Sequence, residues 1–135
     1  QIENEKLKRN KMSKKIAIPS AQPGGLDAGL GMHFGHCDLY TLVDVDDNNA
    51  VTSVTTIPCI SHAQGGCLAP VMYLAEHGVT HLLAGGMGMR PLMGFLQNNI
   101  QVFWAGGLPT VGGAVNAFLA GQLPPFTPAN TCRGH

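Results

Sequence analysis

Past its first fifteen residues this 135-residue chain almost lacks positive charge, with only Arg90 and Arg133 basic from Ile16 onward. Six acids share that body (Asp27, Asp38, Asp44, Asp46, Asp47 and Glu76), leaving it at −4 although the whole chain sums to zero. A phosphate backbone is held by clustered cations, so the body is not expected to bind nucleic acid. No lysine follows Lys15, which removes the phosphate-cradling G-x-x-x-x-G-K-[ST] loop. G-x-G-x-x-G, G-x-S-x-G and C-x-x-C are also missing, and with them the dinucleotide, hydrolase and dithiol signatures. No apolar run reaches the ~18–20 residues needed to span a bilayer. "IAIPSAQPGG" is too short and too broken for the apolar core of a signal peptide. The expected setting is a reducing cytoplasm, with no membrane partner.

Six of the eight basic residues stand before Ile16, in a polar opening unlike the rest of the chain. Residues 1–14 read as a flexible leader with Met12 a candidate start, 15–123 as one domain, and 124–135 as an extended tail. A chain of this length can bury one ordinary core.

"KIAIPSA" reads as a strand with Ile16 and Ile18 on one face. The following stretch holds five glycines between Gly24 and Gly35 and must be a loop. "LYTLVDVD" and "AVTSVTTI" form a hairpin across "DNN", since asparagine tolerates the left-handed conformation. That segment begins like a calcium loop but lacks its glycine and closing glutamate, so the hairpin reading prevails. Leu68, Val71, Met72 and Ala75 predict a helix face ending near Gly78. Met89, Leu92, Met93 and Leu96 predict a second, which sets Met72 and Met93 toward the core. Val111, Ala114, Val115 and Phe118 predict a third, capped by Thr110 and Gly121. "THLLAGG" and "IQVFWAGG" are the intervening strands. The order β, β, β, α, β, α, β, α predicts a single α/β domain with a mixed sheet, a hairpin and βαβ units.

Ligands of open α/β sheets sit beyond the carboxyl ends of parallel strands. Three glycine-rich segments leave strands there: Gly24–Cys37, Gly85–Arg90 and Ala105–Thr110. "GGMGMR" runs into a helix, whose free N–H groups and dipole suit an anion. Alone, such glycines need only permit a tight turn. The residues most able to bind metal fall in three groups: His33, His36 and Cys37; Cys59, His62 and Cys67; and Cys132 with His135. Soft thiols in a reducing compartment meet metals more often than each other. His77 and His81 flank a helix-to-strand turn and read as structural. Cys59-x2-His62 with Cys132-x2-His135 could instead form a tetrahedral zinc site in a structural or regulatory protein. A thiol enzyme built on Cys37 and His36 is disfavoured, because neighbours in a strand point to opposite faces.

The strand "KIAIPSA", then "HFGHCDLYTLVDVD", "AGGMGMRPLMGFLQNNIQVF" and "VGGAVNAFLAGQL" resemble the NifX/NifB family of dinitrogenase iron–molybdenum cofactor biosynthesis domains over roughly Lys15 to Leu123. The resemblance implies a ribonuclease H-like fold and a non-enzymatic protein that binds or carries metal–sulfur clusters. The opening "IPSAQPGGLD" and the richness in cysteine and histidine resemble the orange-protein branch, which holds a molybdenum–copper sulfide cluster without covalent attachment. The cargo implied is therefore a molybdenum–copper sulfide or an iron–molybdenum–sulfur cluster, with a protein partner in its assembly or delivery. Carried onto this chain, the family's site falls on His33, Phe34, Gly35 and His36, and on Gly86, Met87, Gly88, Met89 and Arg90. Cys37, Cys59 and His62 remain candidate direct metal ligands.

Overall fold

The computed structural model describes residues 13–31, 38–59 and 69–127. Its elements follow the expected order: β1 (Lys14–Ser20), β2 (Leu39–Val45), β3 (Val51–Pro58), α1 (Ala69–Glu76), β4 (His81–Ala84), α2 (Met89–Gln97), β5 (Gln101–Trp104) and α3 (Val111–Leu119). The strands form one five-stranded sheet in the order β3-β2-β1-β4-β5. β2 lies antiparallel between β1 and β3, while β4 pairs parallel with both β1 and β5. Two antiparallel steps restore direction, so β3 also runs with β1, β4 and β5. Four carboxyl ends therefore share one edge of the sheet.

The hairpin turn is made as its sequence predicts. Asp46 Oδ1 accepts from the backbone N–H groups of Asn48 at 2.9 Å and Ala50 at 3.0 Å, and Asn49 takes φ 62°. The calcium-like run is this turn.

Alternation along β1 sends Ile16 and Ile18 to one face and Ala17 to the other. Ile16 and Ile18 join Val43, Val45, Leu83 and the α3 residues Val111, Ala114 and Val115. Ala17 joins Tyr40, Leu82 and Val102 beneath Val71 and Leu74 of α1 and Leu92 and Phe95 of α2. The domain is thus three layers, with α1 and α2 on one face and α3 on the other.

Two helix faces are rotated from expectation. Met72 and Met93 do not face the core; they are 47% and 43% exposed, and Met89 and Leu96 are exposed beside Met93. The inward residues are Pro70, Val71 and Leu74 in α1 and Pro91, Leu92, Gly94 and Phe95 in α2. In α2 two overlapping apolar faces share Leu92, and the larger ring of Phe95 gains more by burial than a methionine does. Met87, which precedes α2, is itself in the core at 1% exposed.

The start of the tail runs along β5, with Trp104 N–H donating to Pro124 O at 2.9 Å and Phe126 N–H to Val102 O at 2.8 Å. Phe126 departs from a surface course, since its ring is buried in the α1/α2 layer. Among the described residues no helix is long and apolar enough to cross a membrane.

Candidate functional site

The turns after β1, β4 and β5 meet at the common edge. Ala105 N–H donates to Ala84 O at 2.8 Å, and the Trp104 indole N–H donates to Gly85 O at 3.2 Å. Leu30 N–H reaches Pro109 O at 3.3 Å, and Gly29 bridges to Thr110. All three segments expected to build the site are therefore adjacent in their described parts.

The turn after β1 is held from below by buried hydroxyls. Ser20 and Thr41 are both 0% exposed and lie 2.9 Å apart, and Thr41 Oγ1 accepts from Gly25 N–H at 3.1 Å. Gly31 N–H donates to Pro19 O at 2.7 Å, and Asp38 N–H donates to Ser20 O at 3.2 Å. The residues flanking segment 32–37 are thus both tied to the carboxyl end of β1. His33, Phe34, Gly35, His36 and Cys37 themselves lie outside the described residues, as do His62, Cys67, Cys132 and His135.

The two helix N-termini at this edge differ. In α3 the first donors are used: Val111 N–H to Ala28 O at 2.9 Å, Gly112 N–H to Leu26 O at 2.7 Å, and Gly113 N–H to Thr110 Oγ1 at 3.0 Å. Gly112 permits that approach, for a Cβ there would stand 3.0 Å from Leu26 O. In α2 the N-cap is Gly88, which has no side chain to cap with. No described residue accepts from the N–H groups of Gly86, Met87, Gly88, Met89 or Arg90. Pro91, third in the helix, has no N–H to satisfy. Among the described residues, two successive helical N–H groups and three in the preceding turn thus remain as donors, at the positive end of a helix dipole. The exposed Arg90 adds the body's only cation among the described residues beyond Lys15. The sequence offered the turn before α2 as an anion site, and among the described residues nothing closes it.

Met87 brings backbone rather than thioether to this edge, because its side chain is in the core. Met89 is 42% exposed. Cys59 follows the carboxyl end of β3 at the same edge, in the thiol form and half-buried, and donates to Tyr40 Oη at 3.6 Å. Burial, and after it the electrostatic influence of the neighbouring Cys59 sulfur, push the Tyr73 phenol up. Among the described residues no three His, Cys, Asp or Glu side chains gather as metal ligands.

His77 and His81 have structural partners. The His77 ring packs edge-on against Tyr73 with Nδ1 2.8 Å from Tyr73 O. His81 opens β4 at the opposite edge, against Phe103 and Phe118, with Nδ1 2.8 Å from Thr80 Oγ1. Burial first, then Lys14, lowers its pKa. A cavity of about 410 Å³ lies at that same far edge, crossed by the 3.5 Å Lys15–Asp44 ion pair.

Local sequence pattern does not single out Ser20, Thr41 or Trp104. Trp104 has a signal of another kind: it is the chain's single tryptophan, set directly before the glycine turn "AGG" at the end of a strand.

Residues 12–121 match the family described as "Dinitrogenase iron-molybdenum cofactor". No curated protein sequence matches the chain significantly. Among solved structures, a Thermotoga protein given the NifB name and placed in the DUF35 family is 24% identical with TM-score 0.68, covering 84% of this chain and 97% of that one. The apo form of the orange protein from Desulfovibrio gigas is 27% identical with TM-score 0.65, covering 84% of this chain and 97% of that one. A Methanocaldococcus jannaschii protein described as a dinitrogenase is 18% identical with TM-score 0.66, covering 84% and 94%. With the family matched from strand β1 through helix α3, this chain belongs to the dinitrogenase iron-molybdenum cofactor family.

Proposed function

We propose that this protein binds and carries, without converting it, an anionic molybdenum-containing metal–sulfide cluster of the molybdenum–copper or iron–molybdenum type. The observation that carries the reading is the N-terminus of α2, whose N–H groups no described residue satisfies. Five N–H donors and Arg90 stand at the edge where the other strand-end turns converge. A preassembled sulfide anion needs such a cradle rather than an open coordination position. Exposed Leu26, Met89 and Trp104 give that edge an apolar rim, which would limit the access of water to the sulfides. The family's name and the likeness to the orange protein support a cluster as cargo.

In this reading His33, Phe34, Gly35 and His36 form the facing wall, and Gly86, Met87, Gly88, Met89 and Arg90 the cradle. Cys37, Cys59 and His62 are secondary candidates for direct ligation. The cluster-binding unit is 15–123, working in the cytoplasm with a partner that supplies or receives the cluster. We assign the order β3-β2-β1-β4-β5, with β2 antiparallel, to the ribonuclease H-like fold. The zinc alternative gains no specific support, since His62, Cys132 and His135 lie outside the described residues.

The test is retention of tetrathiomolybdate by apoprotein through gel filtration, followed by molybdenum analysis and the visible spectrum. Co-eluting molybdenum is expected from the wild type and from a variant with all four cysteines changed to serine. Loss of retention in the serine variant would replace the electrostatic cradle with thiolate ligation. Arg90→Ala should weaken retention by ~1.5–3 kcal/mol, the worth of a charge-assisted hydrogen bond. A protein that holds zinc and no molybdenum would sink the proposal.

A further inference from the structure

Trp104 closes β5 beside the cradle, 38% exposed, and its indole joins two of the three turns at the edge. Its Nε1–H donates to Gly85 O at 3.2 Å. Its backbone N–H donates to Pro124 O at 2.9 Å, and the next residue, Ala105, donates to Ala84 O at 2.8 Å. The strand that carries the ring is therefore braced on both sides.

Gly106 shows how closely the ring is seated. A Cβ at that position would lie 2.7 Å from Trp104 Nε1, 2.8 Å from Cε2 and 2.9 Å from Cζ2. Gly106 is not among the glycines with positive φ, so its backbone conformation would accept alanine. Glycine is required there by the indole.

Because a peptide group is planar and trans, pinning the Gly85 carbonyl toward the indole also sets the direction of the Gly86 N–H. Gly86 is the first of the five donors of the open α2 turn. We propose that Trp104 is a positioning residue that aims this cradle, and that its ring is a wall of the cluster site. The proposal rests on the cluster-binding reading for its ligand, while the aiming of the turn can be measured in apoprotein.

Two substitutions act on the clamp in different ways. Trp104→Phe keeps an aromatic ring and removes the N–H donor. Gly106→Ala keeps the tryptophan and pushes its ring from its seat. In apoprotein whose fold is verified by circular dichroism, either variant should shift the amide resonances of Gly86 to Met89. Those of Val111 to Gly113, held by Leu26, Ala28 and Thr110, should stay in place. With tetrathiomolybdate as the probe, each single variant should bind roughly 3- to 10-fold more weakly, the effect of losing one well-placed neutral hydrogen bond. Combined with Trp104→Ala, Gly106→Ala should bind about as well as Trp104→Ala alone, because the ring atoms that the added methyl group would meet are then gone. Wild-type tryptophan emission comes from this single indole and should be quenched as the probe binds.

Unshifted Gly86–Met89 amides in both variants would overturn the clamp. Wild-type binding without quenching, and with unchanged affinity in both variants, would overturn the wall. A Gly106→Ala penalty that persists in the Trp104→Ala background would show that Gly106 acts independently of the ring, and would also overturn the clamp. Failure of the wild type to bind the probe would instead overturn the cluster reading and the wall with it, leaving the clamp to be decided by the apoprotein amides.

Discussion

Helices α2 and α3 begin alike and finish their first turns in opposite ways. Each follows a parallel strand through a glycine-rich turn, at the same edge of the same sheet. At α3 the chain satisfies itself, with two carbonyls from the turn after β1 and the Thr110 hydroxyl occupying the first donors. At α2 the cap is a glycine, and no described residue takes the donors from Gly86 to Arg90. A self-satisfied terminus stabilises the fold and has little left to offer a ligand. An open one gives up that stabilisation and keeps its dipole and N–H groups for an anion. Glycine at a helix start is therefore ambiguous until the neighbouring loop is known.

The largest expected effect comes from closing the open terminus. Gly88 has φ −79°, which an L-residue accepts, so Gly88→Asp would place a capping carboxylate over the α2 donors. Retention of tetrathiomolybdate should fall by about 3 kcal/mol or more, since donors are consumed and a like charge is added. Thermal stability should rise slightly, by ~0.3–1 kcal/mol. If retention survives in a stably folded Gly88→Asp variant, the cradle is elsewhere.

The reciprocal change opens the closed terminus. Thr110→Ala removes the hydroxyl that accepts from Gly113 N–H and should cost ~1 kcal/mol of stability in chemical denaturation. Retention should stay within about twofold of wild type, because hydrogen-bonding groups outside the cradle contribute little to holding the anion. A loss of retention as large as that of Gly88→Asp would mean that the two termini work as one site.

The smallest effect concerns the opposite edge. Burial of His81 favours neutral imidazole in the folded protein, while the unfolded chain takes up the proton near the ordinary value of 6.5. Its contribution to stability is complete above that value and is lost as pH falls through the lowered folded value. His81→Phe should flatten the decline of melting temperature below about pH 6.5 and leave probe retention unchanged. An unaltered acid slope would show that His81 does not titrate on unfolding.

Local patterns were legible wherever one short-range rule decided the outcome. Alternation put Ile16 and Ile18 on one face, asparagine took the left-handed position at Asn49, and Thr110 and Gly121 bounded α3. The reading failed where two local answers were equally good. Met93 and Phe95 both fit an apolar face of α2, and competition for core volume placed Phe95 inside. Trp104 and Thr41 were passed over because their partners are distant in sequence: Gly85 is 19 residues from Trp104, and Gly25 is 16 from Thr41.

By itself the sequence determined the order of the elements, the hairpin, the caps of α3 and the family, because each rests on neighbouring residues or on a linear pattern. Only the tertiary structure decided which helix N-terminus stayed open among the described residues. That choice depends on carbonyls at Leu26 and Ala28 reaching Gly112 and Val111, more than eighty residues away along the chain. A backbone hydrogen bond carries almost no side-chain signature, so the donors it consumes, and those it spares, become visible only when the sheet has brought the two segments together.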